Sequence, residues 1–571
     1  MRELFARLFS RPGLTTEMFA ASLFANILAL ASPLFVIQVL NRYIAHGVDA
    51  TLMTLTAGVV AAIILELAFR QIRMRLAGAV NTGYDRKLAN AAFMTLTHTK
   101  VGAVDQLPPG VRQEMISGAE KIQSAYAPSN VGALFDVPFA FLFIGVLYVL
   151  NPVLAMVVAG FVALGFGISM FALAALRRPT REMQTASGRR GGLIVSAIQA
   201  GDTVRAFNAG GFIRRLWRDE TGAFHKLARH ISQRQGFVQS LGMTIQALMS
   251  TVVIAVGALQ VVNGQMDVGA MIGANILAAR ALGPIIRMAT LSEALAKSRQ
   301  ALNLFQEFAK LPMERGEGTA LSAFTGSLEF QDLAFAHPGA KTPLFESVNL
   351  KMDPASVLIF SGANGTGKTT LARIVAGLIE PTRGKILIDG VDMVQVAPEW
   401  WRGQICYLPQ EPKFLHGSIA ENIAMANPDM GSAEINAVID AAGLKQFVDQ
   451  SSDGTGTVII QGGANLSLGI RRRLALARAL ATDGMLMIVD EPTEGLDSEG
   501  AEHVIRAMNE MAKRGRTVLV FSHDPQILQG APHYVDLNSK PVPTLVRKPG
   551  DMPAGEVTQP AANEEMRGGG E

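Results

Sequence analysis

Residues 357–378 read VLIFSGANGTGKTTLARIVAGL, and this stretch decides the fold of the C-terminal half. An apolar, β-branched run, a glycine-rich loop and an amphipathic segment follow one another, which predicts a strand, a tight turn and a helix. Gly362, Gly365 and Gly367 let the backbone curl so that successive N–H groups point into one concavity, and the helix adds its positive end. With Asn364, Thr366 and Thr370 around it, such a loop is expected to cradle phosphates. Lys368 brings a point charge to the β- and γ-phosphates of ATP, and the Thr369 hydroxyl is placed to ligate Mg²⁺.

Further along, MLMIVDEP (485–492) reads as a second strand that ends in two adjacent carboxylates. Asp490 is suited to hold Mg²⁺ through water and Glu491 to polarise a water in line with the γ-phosphate. An acidic pair at a strand end is common, so the assignment rests on its pairing with the upstream loop. Around these two motifs, short β-branched runs, glycine turns and amphipathic helices predict a soluble α/β domain over 324–540. The turn-rich segment MERGEGTALSAFTGS (313–327) marks its start, with a linker at 312–323. The Pro-, Gly- and Glu-rich ending, 541–571, reads as a disordered tail.

The N-terminal half has a different character. Hydrophobic residues make up 49% of the 571-residue chain and charged residues only 17%, an apolar balance that points to a membrane class. Apolar windows near 17–40, 51–69, 132–150, 152–176, 237–263 and 266–286 are each long enough to cross a bilayer, giving an all-α transmembrane domain over 1–311. The two long connections, 70–131 and 177–236, concentrate Arg and Lys, whereas the short ones carry little besides Arg42. By the positive-inside rule the long connections and the C-terminal domain face the cytoplasm. Their helical periodicity predicts extensions of the spans, with tips at 107–122 and 196–212. The opening MRELFARLFSRPGL (1–14) reads as an amphipathic surface helix before a retained first span. Asp136, Arg280 and Arg287 are costly in hydrocarbon. For Arg280, lining a translocation cavity and pairing within the structure both stay open. A net charge of +3 implies no bulk attraction to nucleic acid, and the single cysteine, Cys406, excludes an internal disulfide.

These motifs, in this order, resemble the ATP-binding cassette (ABC) exporters, and the resemblance covers nearly the whole chain. It implies that Gln410, in YLPQEP, is the Q-loop glutamine that senses the γ-phosphate and the metal, and that His523, in VLVFSHD, is the switch histidine. LSLGIRRRLALARAL (466–480) resembles the signature motif, so Ser467 and Gly469 are expected to contact ATP held by a second cassette. Asp497, in EGLD, matches the D-loop. His337, in FAHP, stands where an adenine-stacking tyrosine is usual. If the signature completes a partner's site, a dimer is the minimum unit, by default a homodimer. The signature reads LSLGI where LSGGQ is usual, and Glu494 and Gly495 vary the wording before the D-loop. A partly degenerate half of a heterodimer therefore stays open.

Within the family, SPLFVIQVLNRYI (32–44), ALFDVPF (133–139) and GQMDVGAMIGANILAARALGPI (264–285) are similar to exporters of bacterial type I protein secretion. About 15 residues precede the first span, so a peptidase domain and leader cleavage are not expected. The resemblance implies ATP-driven export of an unprocessed protein across the bacterial inner membrane, with a periplasmic adaptor and an outer-membrane channel as partners. Export of a lipid, glycan or small molecule is the alternative, because the engine is shared.

Overall fold

The computed structural model describes residues 2–44, 49–531 and 533–547. The chain forms two compact units, residues 1–99 with 103–312, and residues 100–102 with 313 onward.

The first unit is helical, and six of its helical segments are long and apolar enough to cross a membrane. The first runs from Pro12–Leu28 through Ala31–Gln38 and ends in a π-helical turn at Val39–Tyr43. The second, Asp49–His98, has 50 residues, and the fifth, Gly210–Val262, has 53. At 1.5 Å per residue each is about 75–80 Å long, more than twice a hydrocarbon core of roughly 30 Å. Pro128–Leu150, Pro152–Ala172 and Val268–Met288 complete the set. The turn between the third and fourth is sharp because Asn151 accepts from the N–H groups of Val153 (3.0 Å) and Leu154 (3.1 Å), capping the next helix. Phe143, Leu147, Leu154, Val158, Met249, Val253 and Leu282 build the core between the spans. At Gly273 a Cβ would lie 2.5 Å from Cγ1 of Ile37, so the first and sixth spans approach at a distance only glycine permits.

Asp136 and Arg280 are both in ion pairs. Arg73 meets Asp136 at 2.5 Å, both are buried, and Asn26 Nδ2 donates to the same carboxylate at 3.2 Å. Arg280 pairs with Glu66 at 3.4 Å, and Arg70 reaches that carboxylate at 2.7 Å. Of the two places open to Arg280, the structure shows the ion pair.

The expected tip at 107–122 needs correction. Pro109–Ala125 is a helix, and the turn lies before it, around the short helix Val101–Asp105. The Pro-Pro-Gly run suggested a turn, but proline at a first helical position starts a helix because its missing N–H would be unpaired there anyway. At the second tip a short helix, Gly201–Ala206, joins the two long arms. The N-terminal helix Arg2–Phe9 is held by Arg7, which is buried. Its guanidinium lies 4.7 Å and 4.6 Å from the rings of Tyr84 and Tyr126 and pairs with Asp85 at 2.8 Å. Phe5 and Phe9 remain exposed, as a helix lying on a membrane surface requires.

The second unit contains twelve strands among the described residues. They are β1 (Leu328–Phe335), β2 (Phe345–Met352), β3 (Val357–Ser361), β4 (Arg383–Ile388), β5 (Val391–Asp392) and β6 (Ile405–Leu408). β7 (Gly417–Ser418), β8 (Val458–Ile459), β9 (Leu486–Asp490), β10 (Thr517–Phe521), β11 (His533–Asp536) and β12 (Thr544–Arg547) follow. A six-stranded sheet has the order β12-β11-β3-β10-β9-β6, parallel except for β12, and an antiparallel sheet has the order β2-β1-β4-β5. β9 and β10 are buried at every position, as parallel strands covered on both faces must be. The predicted tail begins inside the fold, because Thr544–Arg547 pairs with β11 along the sheet edge. The Pro- and Gly-rich composition of the ending hid this four-residue run. The remainder of that tail, 548–571, lies outside the described residues.

Candidate functional site

β3 delivers the chain into the glycine loop and the helix Lys368–Val375 leaves it, so the parallel sheet presents the loop at the C-terminal end of its strands. Gly365 and Gly367 have φ of +84° and +109°, values that L side chains avoid. A cleft of about 260 Å³ opens on the loop, lined by His337, Asn364, Gly365, Gly367, Lys368, Thr369, Thr370, Gln410 and Glu491. His337 follows β1, and its ring is met edge-on by Phe335 at 5.1 Å. Thr366 turns inward and its hydroxyl donates to the carbonyl of Ala363 at 2.8 Å, bracing the loop.

Lys368 is folded back onto its own loop. Its ammonium donates to the carbonyl of Gly362 at 2.6 Å and lies 3.1 Å from Oε1 of Glu491. Glu491 is buried, and its φ of +48° puts a non-glycine residue in the left-handed region. Such a conformation costs about 1–3 kcal/mol and persists only when the surroundings impose it. Here its N–H donates to the carbonyl of Phe521 on β10 (2.8 Å) and its carbonyl accepts from Nη1 of Arg472 (2.8 Å). On the other side of the carboxylate, Nδ1 of His523 stands 2.9 Å from Oε1. A carboxylate can only accept, so Nδ1 carries the hydrogen.

Asp490 ends β9 with both carboxylate oxygens buried. The hydroxyl of Thr369 is close enough to ease the charge but is directed to Oε1 of Gln410 (3.1 Å), so neither oxygen receives a hydrogen bond. Burial pushes the Asp490 carboxyl up to about 6, the charge of Glu491 adds to the rise, and Thr369 and Lys368 offset part of it. Unpaired, buried anionic oxygens beside a hydroxyl and a carboxamide oxygen fit a hard divalent cation such as Mg²⁺. Among the described residues no three His, Cys, Asp or Glu side chains gather into a metal cage.

Ser467, Gly469 and Asp497 do not line this cleft. Ser467 caps the helix Leu468–Leu480, accepting from the N–H of Ile470 at 3.3 Å. Asp497 caps Ser498–Lys513 through the N–H of Gly500 (2.9 Å) and pairs with Arg473 (2.6 Å), whose hydrogen bond holds its carboxyl below the usual range. Two residues at the site were not anticipated. Arg472 reaches the carbonyls of Glu491 and Gln410, and Glu494 accepts from Gln410 and Arg472. A three-arginine run ordinarily reads as a solvated face, and no spacing rule marks its middle member as buried.

Residues 15–285 match the family model of the ABC transporter transmembrane region, and residues 345–494 match the ABC transporter model. The chain is an ABC transporter. At the level of individual proteins, it is 26% identical over 508 residues to the toxin RTX-I translocation ATP-binding protein of Actinobacillus pleuropneumoniae, covering 89% of this chain and 72% of that one. The alpha-hemolysin translocation ATP-binding protein HlyB of Escherichia coli is 25% identical over the same shares. A solved structure of a bacterial Atm1-family ABC exporter with ATP bound superposes with a TM-score of 0.83 over 92% of this chain and 93% of that one. At 18% identity it speaks for the fold alone. The transporter is therefore a multi-pass membrane protein that works as a dimer and couples ATP hydrolysis to transport.

Proposed function

We propose that this ABC transporter exports an unprocessed protein across a bacterial inner membrane, with its ATP-binding unit in the cytoplasm. A periplasmic adaptor and an outer-membrane channel would continue the path. The observation that carries the ATP-driven part is the convergence of Lys368, Gln410, Glu491 and His523 on one cleft. For the cargo, support comes from relatives whose names state translocation of protein toxins, and from the Arg-rich long arms, which favour a cytoplasmic ATP-binding unit.

In this reading the phosphate loop, with Gly362, Asn364, Gly365, Thr366, Gly367, Lys368 and Thr370, holds the phosphates, and His337 stacks on the adenine. Thr369, Gln410 and Asp490 would hold Mg²⁺, which would supply positive charge to offset that of the phosphates when bound. Glu491 orients and deprotonates the attacking water. Its carboxylate is tied to Lys368 and His523. A γ-phosphate draws Lys368 away because it offers more negative charge than one carboxylate, and that movement frees the base. Ser467, Gly469 and Asp497, which do not line their own cleft, serve the nucleotide of the partner.

Glu491→Gln keeps the shape and removes the base. Its Mg²⁺-ATPase rate should fall by about 10²–10⁴, the usual worth of general-base catalysis, with ATP binding retained. An unchanged rate rejects Glu491 as the base. Protein trapped in the ATP-bound variant and identified by mass spectrometry tests the cargo, and recovery of a lipid or glycan alone rejects protein export.

A further inference from the structure

We propose that Glu494 is a positioning residue for the metal site, acting through Gln410. The inference rests on the ATPase reading above and adds a residue to it. The carboxamide of Gln410 has two faces, an oxygen that can ligate a cation and an NH₂ that would repel it. Rotation by half a turn about its last bond exchanges them at little cost in shape. Two partners settle the choice. Oε2 of Glu494 lies 2.9 Å from Nε2 of Gln410, and the hydroxyl of Thr369 lies 3.1 Å from Oε1. A carboxylate accepts and never donates, so the NH₂ group must face Glu494, and Oε1 is left facing Thr369 and the buried oxygens of Asp490. A hydroxyl or a methyl group at position 494 would impose no such choice.

Glu494 is itself held. Nη2 of Arg472 lies 3.2 Å from the same Oε2, and that arginine also binds the backbone carbonyls of Gln410 (3.0 Å) and Glu491 (2.8 Å). Arg472 is buried, whereas Glu494 is half exposed. One arginine on the signature helix thus fixes the backbone of both ligand-bearing segments, and the carboxylate it steadies orients the one side chain free to flip.

The test uses the full chain in lipid nanodiscs. Two quantities are read as Mg²⁺ is titrated at fixed ATP: turnover, and the ATP-induced rise in melting temperature followed by tryptophan fluorescence. E494A and E494M, the second keeping the stem without the acceptor, should both need about fivefold more Mg²⁺ for half-effect, the worth of one partly exposed hydrogen bond of about 1 kcal/mol. E494Q offers an amide oxygen to the same NH₂ and should stay within about twofold of wild type. Unchanged Mg²⁺ dependence in E494A and E494M overturns the assignment, as does an E494Q defect equal to that of E494A. Wild-type protein with neither turnover nor Mg²⁺-ATP stabilisation overturns the ATPase reading, and this assignment with it.

Discussion

Replacing Asp490 by asparagine removes a charge that the fold buries at a cost. Burial raises its carboxyl from the ordinary 3.8 to about 6, a difference of roughly two pH units, or about 3 kcal/mol between the charged and neutral forms. The sign follows from proton binding. Between pH 4 and 6 the folded state keeps a proton that the unfolded chain has lost, so this group makes stability fall as pH rises through that window. Above pH 6 the full cost is present, and below pH 4 it is absent. At pH 7.5, without nucleotide or metal, Asp490→Asn should therefore be more stable than wild type. The gain should be about 1–2 kcal/mol, since the carboxamide also lacks partners and gives part of the benefit back. For a unit of this size that is a rise of roughly 2–6 °C in the melting temperature. Trp401 is a suitable reporter because it is buried and its Nε1 donates to the carbonyl of Val375 on the phosphate-loop helix at 2.9 Å. The advantage should vanish near pH 4. With Mg²⁺ and ATP the order should invert, because the neutral side chain cannot repay its place by binding the cation. A variant that melts at or below wild type when measured without nucleotide or metal refutes the cost assigned to burial, and one that keeps the full Mg²⁺-ATP stabilisation refutes the metal assignment.

Other positions give equally specific outcomes. Arg73→Met leaves Asp136 buried without its cation, which should cost about 3–5 kcal/mol and appear as a lower melting temperature in lipid. Adding Asp136→Asn should recover part of that loss, and a single variant that melts with wild type would show the pair to be dispensable. Gly495→Ala should destabilise by the roughly 1–2 kcal/mol of a left-handed alanine, because φ is +68°; the new Cβ would lie 2.7 Å from Cδ2 of Leu468, but that methyl ends an exposed, flexible side chain that can turn aside. In a Leu468→Gly background the loss should therefore be about the same, and a loss that disappears there would refute the backbone account.

The legible parts of this protein were those written in contiguous runs. The strand, loop and helix of 357–378, the acidic strand end at 490–491 and the apolar windows each carry their own local signal. The network behind them was not legible. Gln410 and Glu494 are 84 positions apart and Arg472 and Glu494 are 22 apart. Nothing in either neighbourhood announces the partner; the pairing of β6 with β9 and the packing of the helix Leu468–Leu480 on β6 bring them together. Arg280 shows the same limit, since its pairing with Glu66 spans 214 positions and could not be chosen over a cavity from sequence. The first hairpin tip failed for a different reason, a local rule with two meanings: proline breaks a helix inside it and starts one at its first turn.

The departures from the usual signature and D-loop wording answer one another. Leu468 stands where glycine is usual, and its side chain occupies space that a Cβ at position 495 would need. Position 495 is glycine, which has no Cβ and adopts φ of +68° without strain. Ile470 still donates its N–H to the Ser467 cap, so the start of the signature helix is preserved despite the changed side chain. Glu494, the fourth departure, is anchored by Arg472 and binds Gln410. A decaying site loses such contacts independently, one residue at a time. Here Leu468 lies beside Gly495, Glu494 binds Arg472 and Gln410, and Lys368, Glu491 and His523 remain within hydrogen-bonding reach, which favours a retuned engine over a degenerate half.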